Sequence, residues 1–309
     1  MFELTVLGYN VVIPALIALL GAAAAIRFSQ QAFSADNMSA DNLSAEDMST
    51  SAEFIRGLFT ATAAALAIWA AMGLRNEWAL WHEQAWMRLP LAVALVALSA
   101  VVTAGLKLQW LLWGIRAIGI GTACWMIFPT GEAWEFLLPS KYYWLGCMWL
   151  SSLVGWYLIA VRPPRAAAIL ALCWIPLLIA SAFLTGQSFA GVTEPLMAVA
   201  SVLGCFGLIG LWRDLSLVKA AAGPSLVAWT GAVASAQFNS FVGLTDALSW
   251  LAMSTPALAA VLTHWTIARP AHRGQFQKML WVTLVVCLLL AAAIAGWTHW
   301  TVPTGGDEW

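Results

Sequence analysis

Charge is what this 309-residue chain has least of. Only 9% of its residues are Asp, Glu, Lys or Arg, against about 25% in an ordinary soluble domain. The 14 basic and 15 acidic residues leave a net charge of −1. So few charges cannot cover a water-soluble globule, so a soluble enzyme, a basic nucleic-acid binder and a disordered chain are all excluded.

Chemistry-bearing patterns are scarce too. Cys124, Cys147, Cys173, Cys205 and Cys287 each stand alone in a different apolar stretch, with no Cys-x-x-Cys pair. They read as small buried hydrophobes. The four histidines, His82, His264, His272 and His299, are scattered. His82-Glu83 opens like a zinc-protease motif, but Trp86 stands where the second histidine belongs. Phosphate loops, dinucleotide turns and nucleophile elbows are missing. The expectation is a non-enzyme with no cofactor, no metal site and no nucleic-acid partner.

What is present is apolar length. Hydrophobic residues make up 62% of the chain. A spanning helix needs about 20 mostly apolar residues. Ten such stretches run over 4–26, 54–74, 89–106, 108–128, 142–161, 166–184, 195–212, 224–244, 247–268 and 279–299. They are continuous and rich in Ala and Leu rather than alternating, which argues for helices over a β-barrel. The expected fold is all-α: a polytopic transmembrane bundle of about ten spans forming a single integral membrane domain over 1–309.

Ten spans also sort the basic residues. Ten of the 14 fall on one side and three on the other, with Arg116 inside a span. Cytoplasmic loops hold the excess Lys and Arg, so both termini are expected outside and the membrane is expected to be a bacterial plasma (inner) membrane. Residues 1–26 carry no basic start, and Arg27 follows the apolar run. That order suits a retained helix rather than a cleaved signal.

One connection is long. Residues 28–53 carry three acidic pentads beginning at Ser34, Ser39 and Ser44, which read as a low-complexity cytoplasmic loop. Thr50 and Glu53 fit a capping box opening the second span. The 20 tryptophans read mainly as interfacial belts. Gly204, Gly207 and Gly210 make a small-residue packing stripe in the seventh span.

Trp78–Trp86, the Val161-Arg-Pro-Pro turn and the Thr185-Gly-Gln segment together resemble multi-pass membrane proteins of planctomycete-type bacteria. The resemblance implies a membrane bundle and carries no activity, cofactor or site residue. Ten-helix drug/metabolite exporters are similar in size and composition, but their termini lie in the cytoplasm.

Candidate site residues are the polar ones at membrane depth and the prolines. Arg116 lies eight residues into the fourth span, about 12 Å from its basic end. It either snorkels to the inner headgroups or meets an anionic group in the bundle. Gln237 and Asn239 make the eighth span the most polar one, as interhelical glue or as the lining of a path. Pro14 and Pro176 sit in matching Ile-Pro-x-Leu/Ile-rich segments of spans one and six, the pattern of interrupted helices in inverted-repeat transporters. Glu132, Glu135 and Asp246 form an acidic outer rim. The reading these residues favour is small-solute transport at a site between spans one, six and eight. The alternative is a non-catalytic scaffold or assembly subunit. The expected partners are the lipid bilayer, a small-molecule solute and another membrane protein.

Overall fold

The computed structural model describes residues 8–38, 45–73, 78–79, 81–130, 135, 140–239, 246–264 and 273–301. The described residues are almost entirely helical. A π-turn at Gly8–Val12 leads into α1 (Ile13–Met38). There follow α2 (Ala45–Met72), α3 (Leu89–Ala104), α4 (Gln109–Ile127) and α5 (Ser140–Ala160). Then come α6 (Pro164–Cys173), α7 (Ile175–Ser188), α8 (Thr193–Arg213), α9 (Leu217–Asn239), α10 (Asp246–Leu262) and α11 (Arg273–Thr301).

Among the described residues nine helical segments are long and apolar enough to cross a membrane, α6 and α7 counting as one; α10 is shorter. The protein is a multi-pass helical membrane bundle. Helix α3 ends at Ala104 and α4 starts at Gln109, where Lys107 and Gln109 interrupt the apolar run. Helix α9 ends at Asn239 and α10 starts at Asp246; the expected division around 243–246 lies largely outside the described residues.

Several ends differ. The stretch expected as a loop over 28–53 is helical through Met38 and again from Ala45. It contains no Pro or Gly, and extending an existing helix carries no new nucleation cost. Because α2 starts upstream of Thr50, Thr50 and Glu53 lie inside the helix and cannot form the expected capping box. Helix α9 begins at Leu217, before Pro224 rather than at it.

Helix α9 is the centre of the bundle. It packs against α2, α3, α4, α5, α6, α7, α8 and α10, and every residue from Ala220 to Ala236 is buried. Its residues explain the place. Ala, Gly and Ser let neighbours come close, and hydroxyls are satisfied only against other protein. Thr230 and Ser152 of α5 lie 3.0 Å apart, and the Trp229 indole donates to Ser181 of α7 at 3.0 Å.

The glycine stripe of α8 seats α6. A Cβ at Gly207 would lie 2.8 Å from Leu172, and one at Gly210 would meet Ala168. Trp156, Trp174 and Trp229 are fully buried in the core, while Trp110, Trp212 and Trp300 are exposed as interfacial residues are.

Candidate functional site

The side chains of Arg116, Thr103, Trp113 and Trp156 come together where α3, α4 and α5 converge at the basic end of the bundle. Antiparallel threading brings that end of α3 beside the start of α4, and the end of α5 beside the start of α9. Arg116 is buried, with 8% of its surface exposed. Its Nε–H donates to Thr103 Oγ1 at 2.9 Å, and the Thr103 hydroxyl in turn donates to the Ser99 carbonyl at 2.7 Å. The guanidinium carbon lies 4.4 Å from the Trp156 ring centroid and 4.8 Å from that of Trp113. Such contacts stabilise a cation by about 0.5–2 kcal/mol. A charge near a helix centre costs about 2.5–3.5 kcal/mol on insertion scales. The two aromatic contacts together, about 1–4 kcal/mol, are of the same order as that cost.

The two terminal nitrogens of Arg116 have no acceptor among the described residues. They are not sealed off either, because Arg116 lines a cavity of about 340 Å³. The other polar lining comes from Glu53 of α2, Gln109 of α4, Ser216 before α9 and Lys219 of α9. Glu53 interacts electrostatically with Lys219. No ion pair joins a carboxylate to Arg116 among the described residues.

Trp156 ties this group to the central helix. Its indole N–H donates to the Lys219 carbonyl at 2.8 Å. The fit depends on Gly223, where a Cβ would lie 2.6 Å from the indole. Pro224 follows, and it removes a backbone donor from α9.

A second polar cavity, of about 290 Å³, lies at the far end of α9. Asn239, Glu83, Gln84, Arg88 and Thr130 line it. Arg88 holds its own loop in place, donating to the carbonyls of His82 and Glu83 at 2.6 and 2.7 Å and lying over Trp81.

The remaining candidates fall in separate places. Gln237 donates to Asp246 at 2.9 Å and accepts from Ser249 at 2.7 Å, joining α9 to α10. Asn239 donates to the Ser235 carbonyl of its own helix. Neither lies in the Arg116 cavity.

Pro14 and Pro176 each occupy the second position of a helix behind an interruption. For Pro14 the interruption is the π-turn, and for Pro176 it is the break at Trp174. Helix α8 runs between them. Its Cys205 thiol faces the Ala15 carbonyl at 3.8 Å, and a Cβ at Gly204 would lie 3.6 Å from Ile175. At this level α8 is packed against both helices. Glu135 is exposed, and Glu132 lies outside the described residues.

Another buried cation sits between α5 and α6. Arg162, 2% exposed, donates to the Ala260 carbonyl and to Thr263 at the end of α10. Burial pushes its guanidinium down to about 10. It therefore remains a cation at neutral pH, placed where the carbonyl end of a helix favours one.

Sequence reading singled out Arg116 but not its companions. Lys219 was one basic residue among many, Glu53 a cap, and Trp113 and Trp156 belong to a set of 20 tryptophans. Trp113 stands three residues before Arg116 on α4, a spacing that puts both on one helix face; the others come from different helices, so their spacing carries no signal. Comparison with protein families, with curated proteins and with solved structures finds no match.

Proposed function

We propose that the protein moves a small solute across the membrane, and that the described conformation is closed between two vestibules. One observation carries this reading: polar cavities open at the opposite ends of a single buried helix, α9. The stretch from Ala221 to Ala236 between them is wholly buried, a separation of roughly 24 Å at 1.5 Å per residue. A scaffold would have no need for a polar recess at each end of its central helix.

The orientation follows from the charge distribution. The end holding Arg116, Lys107, Arg162, Arg165 and Lys219 faces the cytoplasm of a bacterial inner membrane. Opening would bend α9 at Pro224 and shift α6 against α7 at Trp174, the points where proline removes helix hydrogen bonds. The transport path thus runs along α9. Spans one and six, which the sequence pairs with it, flank α8 rather than a cavity.

The test needs no known substrate. Ala228 is fully buried at the middle of α9. With the five native cysteines replaced by alanine, Ala228→Cys in membranes is expected to react slowly with a small methanethiosulfonate as the path opens. Complete protection over hours, while Gln109→Cys reacts normally, would overturn the transport reading.

A further inference from the structure

We propose that the Arg116 cavity is a binding site for a small organic monoanion, a carboxylate carried on an aromatic or apolar body. The inference rests on reading this cavity as a solute vestibule. Charge comes first. Glu53 lies close enough to Lys219 to offset it electrostatically, whereas Arg116 has no carboxylate partner among the described residues. The uncompensated charge of the recess is the single positive charge of Arg116.

Geometry narrows the ligand further. Thr103 takes the Nε–H, and the aromatic rings of Trp113 and Trp156 lie against the guanidinium. What remains is the end-on pair of terminal nitrogens, a fork that fits the two oxygens of a carboxylate or phosphate. The guanidinium is held by a hydrogen bond and two rings before any ligand arrives, which lowers the ordering cost of binding. The apolar part of the lining is Trp113, Leu112, Ala100 and Ala104, a surface that takes an apolar body.

The same anionic chemistry is offered by a lipid headgroup and by a free solute. The packing favours the solute. Helices α2, α3, α4, α5 and α9 pack pairwise in a closed ring around the recess. All its lining residues come from one end of those helices, so the mouth faces water.

The experiment uses the full chain in phosphatidylcholine nanodiscs, titrated calorimetrically with benzoate, acetate, inorganic phosphate and tetramethylammonium. Benzoate is expected to bind at least tenfold more tightly than acetate or phosphate, with no binding of tetramethylammonium. Arg116→Gln is expected to weaken benzoate at least tenfold, and Arg116→Lys to fall between. If Arg116→Gln does not fold, Ala160→Phe serves instead, filling the cavity from α5 with the guanidinium retained, and is expected to abolish binding. Absence of benzoate binding, or binding unchanged in the folded variant, overturns the proposal. Stabilisation by phosphatidylglycerol nanodiscs that requires Arg116, without binding of any free anion, also overturns it, in favour of a lipid headgroup. Benzoate binding with a fully protected Ala228→Cys would keep the site and remove transport. A reactive Ala228→Cys with no anion binding would do the reverse.

Discussion

The Arg116 guanidinium lies 4.4 Å from the ring centroid of Trp156, on an indole whose N–H is bonded to the central helix at Lys219. One buried tryptophan therefore positions the cation of α4 against the Gly223–Pro224 segment of α9. Within the bundle Arg116 is held by this contact and by Thr103.

Replacing Trp156 should separate its two roles. Trp156→Phe keeps a ring beside Arg116 but loses the bond to the Lys219 carbonyl, an expected loss of about 1 kcal/mol. Trp156→Ala also empties a large core volume and should cost about 3–5 kcal/mol. Thermal unfolding in detergent reads both. Equal midpoints for the two variants would refute this division.

Gly223 and Gly114 make a paired prediction. Both are helical, and Ala is ordinarily favoured over Gly in a helix by about 1 kcal/mol. At Gly114 nothing lies within 4 Å of an added Cβ, so Gly114→Ala should be neutral or stabilising. At Gly223 the Cβ would press on the Trp156 ring, and overpacking of this kind costs about 1–3 kcal/mol. Gly223→Ala should lower the unfolding midpoint and weaken benzoate binding, whereas Gly114→Ala should change neither adversely.

Gln237 joins α9 to α10 through Asp246 and Ser249. Hydrogen bonds between membrane helices average about 0.6 kcal/mol, so Gln237→Leu should cost roughly 1 kcal/mol. A double-mutant cycle with Ser249→Ala should show coupling of about half that. Strict additivity of the two changes would mean the bond contributes nothing to stability.

Side-specific labelling checks the orientation. In the cysteine-free background Gln109→Cys, on the rim of the Arg116 cavity, is expected to react with an impermeant maleimide only from the cytoplasmic side. Thr130→Cys, in the far cavity, should react only from the outside. The opposite pattern would invert the bundle.

Much of the architecture was legible because each signal is local to one segment. Apolar length marks a span wherever it is packed, so the break at Gly105–Leu108 could be read from Lys107 and Gln109. The polar character of the eighth span pointed to bonds with neighbouring helices, and Gln237 makes them to α10. Helix ends were less legible, because Pro224 is tolerated inside α9 and residues 28–38 simply continue α1.

The sequence by itself determined that this is a multi-pass helical membrane bundle, and that Arg116 was the charge that needed explaining. Only the tertiary structure decided its company. Thr103, Trp113 and Trp156 meet Arg116 from three helices, and Lys219 joins the recess from a fourth. Helix periodicity reports which face of one segment is apolar, but not which segments pack together. That choice was made by the small residues of α9, which let its neighbours close around it.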